Sequence, residues 1–493
     1  MPATPRKVAT TVSHTPLEDP VDRDGTPVAP NARPRPLPAS ARVRFRPVLM
    51  RLHFYAGVFV APFILIAAFT GLLYALIPQI DTFVHRHELT VEHIGDHRIP
   101  LSDQIAAVRR AHPEGTVASI RPPAAPDETT WVTLDVADVP PDYARTVFVD
   151  PYTGDVRGAL TTYGQWLPLR AWFDELHRNL HLGAIGRNYS ELAASWLWVI
   201  AGAGLLLWIG HRIGTGKLRR IAAPDTGVTG RRRLLSWHGA LGVWIIAALA
   251  LLSVSGMTWS RFAGANVSEI RSHLTWSTPS VDTALPGGEP AAIGAHHGNP
   301  TAAFGSDESQ ALRGADMALR AAHDAALSNP IWMYPPASPT QGWQVAENKR
   351  DWPTRYDAIA VDPDTGAVIA RVDFADWPFM AKLADWIVGA HMGILFGIVN
   401  QILLAAVAVA LIVVILLGYR MWWRRRPTRT TGLTLPTGPR RGVLAGLRPY
   451  EAVLVTLALA GFGYFAPLFG ASLVAFIALD AALGWWQTRT MPQ

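Results

Sequence analysis

Six apolar segments, each close to the length needed to cross a lipid bilayer, constrain this chain more than any other feature of its sequence. A transmembrane helix needs about 20 predominantly apolar residues. The segments are Phe54–Pro78, Glu191–Gly210, Trp237–Trp259, Ile387–Gly418, Tyr450–Phe469 and Ala471–Trp486. Charged residues make up only 17% of the chain, whereas they make up about 25% of a soluble protein. The sequence therefore predicts a polytopic α-helical membrane protein in contact with a lipid bilayer.

Basic residues beside the apolar segments predict the orientation of the chain. They crowd into stretches 42–51, 217–233 and 420–441, and the alternate loops lack such clusters. The positive-inside rule then puts the N-terminus and these stretches in the cytoplasm, with residues 79–190 and 260–386 largely outside. We expect a multi-pass protein of the cytoplasmic (inner) membrane. The net charge of +6 belongs to membrane flanks, so no nucleic-acid partner is expected.

The chain contains no cysteine. This excludes cysteine-ligated iron–sulfur clusters, thiolate-ligated haem and disulfides, and it leaves histidine as the main soft metal ligand.

Several landmarks recur in the same order in the two halves of the chain. His53 is followed by glycines four and eighteen residues later, and His238 is followed by glycines at the same spacings. An Asp-Pro-x-Thr-Gly turn between β-branched runs then occurs at 150–154 and again at 362–366, which predicts a β-hairpin in each half. A His-x-Gly stretch before the next span closes each half, at His181 and His391. The pattern predicts a duplicated span–(α+β)–span unit that forms a four-helix core, with a C-terminal two-helix hairpin appended.

The predicted order of segments follows from these features. It is a disordered cytoplasmic tail (1–45), the first span (46–78), an outer α+β domain (79–175), the second span with an outer extension (176–212), a basic cytoplasmic loop (213–236), the third span (237–259), a second outer α+β domain (260–380), the fourth span (381–420), another basic cytoplasmic loop (421–447) and the hairpin (448–487).

Four histidines fall at two depths in this topology. His53 and His238 lie at the cytoplasmic ends of the first and third spans, and His181 and His391 at the outer ends of the second and fourth. A helix rises about 1.5 Å per residue, so the two levels are roughly 30 Å apart. Two imidazoles facing each other within an apolar bundle are typical of bis-histidine haem b. The sequence therefore predicts two b haems, one ligated by His53 and His238 and one by His181 and His391.

Glycines near these histidines would let a porphyrin edge approach the backbone. They are Gly57, Gly71, Gly242, Gly256, Gly183 and Gly393. Both observations have simpler explanations: a histidine at a helix end can be an interfacial residue, and small residues let transmembrane helices pack closely without a cofactor.

Two further histidines remain alternatives as ligands. His177 lies one helical turn before His181, so either residue could ligate, although Ile387 stands at the matching position of the second half. His211 ends the second span at its cytoplasmic side and could replace His53 or His238, or belong to the basic flank.

The ordered motifs resemble those of the PepSY-associated transmembrane family over about residues 45–425. The resemblance is carried by Arg51-Leu-His53, by the two hairpin turns, and by Leu176-His177-Arg-Asn-Leu-His181-Leu-Gly183. It implies PepSY-like outer modules and a role in iron acquisition, because members of the family include ferric-siderophore reductases with two b haems. The ligand roles that it implies fall on His53, His238, His181 and His391, with His177 as an alternate. The second half departs from the pattern, since Val388-Gly-Ala-His391 has one histidine where the first half has two.

The expected activity is transmembrane ferric-siderophore reduction. Electrons would come from a cytoplasmic reductase or a membrane quinol, because the cytoplasmic loops carry no Gly-x-Gly-x-x-Gly nucleotide-binding motif. One alternative is a non-enzymatic, membrane-anchored PepSY module that binds or regulates a peptide or protease. Another is a transporter, which is disfavoured because the first four spans carry no mid-span acidic residue; Asp480 in the last span is the exception.

Overall fold

The computed structural model describes residues 41–288, 312–425, 439 and 446–490. Most of the predicted tail (1–45) and of the predicted loop 421–447 lies outside these residues. The helices are α1 (Ala41–Phe59), α2 (Ala61–Val84), α3 (Arg86–Leu89), α4 (Leu101–Ala111), α5 (Pro168–Asn179), α6 (Gly183–Gly214), α7 (Gly230–Thr258), α8 (Ala263–His273), α9 (Ala315–Asp324), α10 (Phe379–His391), α11 (Gly397–Trp423), α12 (Pro449–Phe465) and α13 (Pro467–Thr490).

Four of the described helices, α2, α6, α7 and α11, are long and apolar enough to cross a membrane. Residues from α1 join them in one apolar core that includes Ala56, Ile64, Trp196, Leu249 and Leu411. The protein is therefore a polytopic helical membrane protein.

The predicted first and fourth spans are each divided in the structure. The first comprises α1 and α2, which meet at Val60, just before Pro62, a residue that lacks the backbone N–H needed for a helical hydrogen bond. The fourth comprises α10, which ends at His391, and α11, which begins at Gly397. Between them Gly393 has φ +72°, a conformation that glycine adopts without a steric penalty.

Eight antiparallel strands form a single sheet on one side of the membrane helices. The strands are β1 (Thr116–Arg121), β2 (Thr130–Asp135), β3 (Ala144–Val149), β4 (Val156–Thr162), β5 (Ile331–Tyr334), β6 (Trp343–Glu347), β7 (Ala358–Val361) and β8 (Val368–Val372), in the order β4-β3-β2-β1-β5-β6-β7-β8. The two sets of four strands join where Ile120 of β1 pairs with Met333 of β5. The outer modules predicted as two separate domains thus share one sheet.

Both predicted hairpins are confirmed, as β3–β4 and β7–β8. In the first turn an oxygen of Asp150 accepts the N–H groups of Tyr152 and Thr153, and in the second Asp362 does the same. Gly154 and Gly366 close the turns with φ of +79° and +70°.

The two faces of the sheet have different partners. Helices α4 and α9 cover one face, where residues such as Val108, Ile120, Ala318, Met333 and Trp343 form a buried core. Alternate strand residues point to the opposite face, where Trp131, Phe148 and Trp332 pack with Leu167, the residue before α5. This second face turns toward the membrane helices. We call this end of the helices the sheet side and the opposite end the far side.

The C-terminal helices α12 and α13 pack against α1 and α6. Arg44 of α1 pairs with Glu451, and Arg51 pairs with Asp480. The indole N–H of Trp196 in α6 donates to Ser472 Oγ at 2.8 Å. Asp480, the acidic residue of the last predicted span, is therefore held in an ion pair with α1.

Candidate functional site

The structure brings His53 and His238 together on the far side of the membrane helices. His53 lies in α1 and His238 in α7, and their ring centroids are 6.1 Å apart at an interplanar angle of 78°. The sequence predicted this pair.

Hydrogen bonds fix the orientation of both far-side rings. His53 Nδ1 lies 2.9 Å from the carbonyl oxygen of Ile200 in α6, and His238 Nδ1 lies 2.9 Å from that of Val414 in α11. A carbonyl oxygen can only accept, so each Nδ1 carries the proton and donates it. Each Nε2 is left with a lone pair, which is the arrangement expected of a metal-ligating histidine.

A second pair lies on the sheet side and consists of His177 and His391. His177 is in the last turn of α5 and His391 ends α10, and their ring centroids are 6.3 Å apart at 57°. Helix α7 contains both His238 and Ser255, and Ser255 contacts His391. At about 1.5 Å per residue these two positions of α7 are about 25 Å apart along the helix, so the two pairs lie near opposite ends of the bundle.

Hydroxyl groups orient the sheet-side rings. Thr70 Oγ1 donates to the Ile66 carbonyl at 2.9 Å and lies 3.0 Å from His177 Nδ1. Ser255 Oγ donates to the Leu251 carbonyl at 2.7 Å and lies 2.6 Å from His391 Nδ1. With each hydroxyl proton given to its helix carbonyl, the oxygen accepts from Nδ1, and each Nε2 keeps a lone pair.

A glycine packs against each of the four imidazoles. A Cβ atom added at Gly204 would meet His53 Cε1 at 2.8 Å, and one added at Gly71 would meet His177 Cε1 at 3.1 Å. At Gly418 and Gly256 the corresponding distances to His238 and His391 are 3.6 and 3.9 Å. A Cβ at Gly204 would therefore force the His53 ring to shift, and one at Gly71 would press on the His177 ring by a few tenths of an ångström. A Cβ at Gly57 or Gly242, one turn after each far-side histidine, would meet nothing within 4 Å.

The predicted pairing of His181 with His391 does not occur in the structure. His181 follows the end of α5 with φ +55°, and its ring packs 4.7 Å from that of Trp172, with Nδ1 3.4 Å from Glu175. The partner of His391 is His177, which the sequence retained only as the alternate.

The alignment of the two halves depends on which glycine serves as the reference. Alignment of the two His-x-Gly stretches places Gly183 opposite Gly393. In the structure Gly183 and Gly397 each begin a spanning helix with φ +55°. His177 lies six residues before Gly183, and His391 lies six residues before Gly397.

His211 lies away from both pairs. Its ring is exposed and stacks 5.5 Å from that of Trp208 near the far-side end of α6. The neighbouring Arg212 is fully buried and pairs with Asp225 at 2.8 Å. The structure therefore places His211 among the residues that anchor the 215–229 loop.

The geometry of both pairs fits a bis-histidine haem. Two imidazoles that bind one metal from opposite sides, through bonds of about 2 Å, have ring centroids about 6 Å apart. The observed 6.1 and 6.3 Å meet this requirement, and the hydrogen-bond contacts of all four rings are made by Nδ1. The donor set is neutral nitrogen, which suits haem iron.

A cavity of about 510 Å³ lies between the sheet and the sheet-side histidine pair. We call it the vestibule. Its walls include Trp332 and Tyr334 of β5, Arg187 of α6, Trp259 after α7 and Met392 beside His391. Its volume is within the range of small-molecule sites, about 300–1,000 Å³.

Trp259 connects the vestibule to the sheet-side pair. Its ring centroid lies 5.9 Å from that of His391. Arg187 donates to the Trp259 carbonyl at 3.0 Å and holds this segment in place. A molecule in the vestibule would be separated from His391 by one side chain.

Two tyrosines of the vestibule are neutral at ordinary pH. Burial raises the pKa of Tyr334 to about 12. Burial is also the main cause that raises the pKa of Tyr356, to which the neighbouring Asp385 adds. These hydroxyl groups can therefore donate hydrogen bonds.

The family model for the PepSY-associated TM region matches residues 50–425. The chain belongs to the PepSY-associated transmembrane family. The matched region of this PepSY-associated transmembrane protein contains both histidine pairs, the eight-stranded sheet and the vestibule, and it ends before α12. Among curated proteins, none matches the chain.

Proposed function

We propose that this protein is a transmembrane haem b protein that carries electrons across the cytoplasmic membrane and reduces the iron of ferric siderophores on the outer face. The observation that carries the proposal is that two facing histidines occur near each end of one helical bundle. In both places the Nδ1 contacts leave the Nε2 atoms available to bind a metal. Two b haems are the proposed cofactors, and a cytoplasmic reductase or a membrane quinol is the proposed electron donor.

Basic residues at the far side support a cytoplasmic location for that end and for the N-terminus. Residues 217–220 and 231–233 flank the far-side ends of α6 and α7, and Arg420, Arg424 and Arg425 lie at the end of α11. Such clusters are characteristic of cytoplasmic loops. The sheet and the vestibule would then face outward.

Equivalent contacts in the two halves support a duplicated unit. His53 meets a carbonyl and a glycine four residues later in α6, and His238 meets the same combination in α11. On the sheet side, Thr70 and the adjacent Gly71 contact His177. Ser255 and the adjacent Gly256 contact His391 in the same manner. A repeat of this kind would position the ligands of both haems by the same set of local contacts.

The residues of the chain have separable roles in this proposal. Haem supplies one-electron chemistry at each level. His53 and His238 would ligate on the far side, and His177 and His391 on the sheet side. Their hydrogen-bonded Nδ1 atoms hold the rings in place and make Nε2 a stronger donor. The surrounding apolar helices exclude water and lower the local dielectric constant.

Reduction at the outer face would release the metal from its carrier. Siderophores bind Fe(III) through hard oxygen donors, and these bind the softer Fe(II) less strongly. A ferric chelate in the vestibule would lie beside Trp259, whose ring contacts His391, so the acceptor would be close to the sheet-side pair.

Reconstituted liposomes test this function. The protein is inserted in vesicles with reduced quinol or dithionite enclosed, a ferric siderophore outside, and an impermeant Fe(II) indicator outside. We expect indicator colour that depends on haem loading and is lost in His53→Ala, with protein-free vesicles as the control. A folded protein that takes up no haem under ample supply would refute the proposal and favour the anchored PepSY binding module.

A further inference from the structure

Four arginines line the vestibule: Arg178, Arg187, Arg261 and Arg350. Within the described part of the chain, Arg187, Arg261 and Arg350 form no ion pair with a carboxylate, although all three line the vestibule. Some other arginines are paired with carboxylates: Arg178 of the vestibule with Asp174, Arg145 with Glu114 and Arg212 with Asp225.

Two of these arginines contact other residues that line the cavity. Arg187 is half-buried and uses one nitrogen for the Trp259 carbonyl. Arg350 is also half-buried, lies 5.1 Å from the Trp166 ring centroid and contacts Met392 Sδ at 3.9 Å. A guanidinium offers five donors in a planar fork that matches anionic oxygen pairs.

The acidic residues of the vestibule offset this charge only in part. Asp174 lies 3.9 Å from Arg178, and burial raises the pKa of Asp174 above its usual value. Asp385 interacts electrostatically with Arg350 and offsets part of the charge of that arginine. Asp142 is exposed.

Aromatic rings supply the remaining wall. Trp332 and Tyr334 project from β5, and Trp259 lies at the membrane end of the cavity. Flat aromatic groups pack favourably against such faces, and arginine prefers to stack on them. Positive charge, neutral hydroxyl donors and aromatic faces together match an anion that itself carries aryl rings with oxygen donors.

We propose that the vestibule binds an anionic metal chelate of the aryl-oxygen class, such as a tris-catecholate, with Arg187 and Arg350 contacting its negatively charged oxygens. The proposal deepens the function proposed above and rests on it for the identity of the metal. It also makes the site selective against neutral hydroxamate chelates, which offer neither the charge nor the rings.

Gallium chelates test the proposal independently of electron transfer. Ga(III) resembles Fe(III) in charge and size and is not reduced, so binding can be measured by calorimetry whether or not haem is present. The full-length protein in lipid nanodiscs is titrated with a trianionic hexadentate tris-catecholate, with anionic gallium–EDTA without aryl rings, and with a neutral hexadentate tris-hydroxamate.

We expect the tris-catecholate to bind most tightly and the hydroxamate most weakly. Losing one charge-assisted contact costs about a factor of 10 in affinity, so Arg187→Gln and Arg350→Gln should each weaken tris-catecholate binding about tenfold. Arg313→Gln is the matched control, because Arg313 pairs with Asp364 away from the vestibule.

Equal affinity for the anionic and neutral chelates would overturn the proposal, and this comparison needs no variant. Unchanged binding in both arginine variants would also overturn it, as would absence of binding by the wild-type protein. A colourless protein that still binds gallium tris-catecholate would leave this inference standing and refute the haem proposal alone.

Discussion

The replacement of Gly204 by alanine separates haem binding from the stability of the helices. A Cβ at this position would lie 2.8 Å from His53 Cε1, whereas ordinary contacts begin at 3.4 Å. The ring must therefore move by about 0.6 Å, while a metal–ligand bond tolerates about 0.2 Å. The hydrogen bond to the Ile200 carbonyl opposes a simple rotation of the ring. We expect the far-side haem to be lost or to become high-spin.

The same substitution at other glycines provides the controls. Alanine at Gly418 would lie 3.6 Å from His238 Cε1, and alanine at Gly202 would meet nothing within 4 Å. All three changes raise helix propensity by about 1 kcal/mol, so loss of haem in Gly204→Ala alone cannot come from a weakened helix. A pyridine haemochrome count and low-temperature EPR of the three variants measure the effect. Two low-spin haems in Gly204→Ala would refute the assigned role of His53.

Three further outcomes follow from individual contacts. Ser255→Ala removes an acceptor from the sheet-side pair, so redox titration should show one haem with a higher potential and an unchanged haem count; an unchanged potential would contradict this. Ser472→Ala leaves the buried Trp196 N–H without its partner and should lower the unfolding free energy by about 1 kcal/mol in detergent titration, while Ser472→Thr should not. A hydrogen bond with His112 lowers the pKa of Glu114 to about 2, so its stabilisation is present above its ordinary pKa of 4.5 and is lost as pH falls toward 2; Glu114→Gln should abolish that part of the pH dependence in hydrogen exchange of the sheet.

The far-side pair could be predicted from the sequence because its landmarks lie within continuous helices. His53 and His238 each precede glycines at identical spacings. In a continuous helix, residues at the same spacing occupy the same relative positions. The hairpins could also be predicted from the sequence, because Asp-Pro-x-Thr-Gly fixes the backbone locally. No tertiary contact was needed for either inference.

The sheet-side pair could not be placed in the same way, because a turn of different length precedes the following span in each half. Three residues separate Asn179 from Gly183, whereas five separate His391 from Gly397. Counting back from the glycine that opens each span would have selected His177. The Thr70 and Ser255 hydroxyls were visible beside Gly71 and Gly256, but their contact with the histidines depends on packing between helices.

Sequence patterns also could not predict the joined sheet or the vestibule. The single bridge between β1 and β5 joins residues more than 200 positions apart, and no periodicity predicts such a contact. The arginines of the vestibule come from α5, from α6, from the segment after α7 and from the loop after β6. Their convergence becomes apparent only once the sheet is placed over the helices.

The haem content of His177→Ala and His181→Ala, compared with that of the wild-type protein, tests the central claim most directly. Pyridine haemochrome assays should give about two haems per chain for the wild type and for His181→Ala, and about one for His177→Ala. Loss of a haem in His181→Ala with retention in His177→Ala would contradict the assigned sheet-side pair. A wild-type protein without haem would contradict the account as a whole.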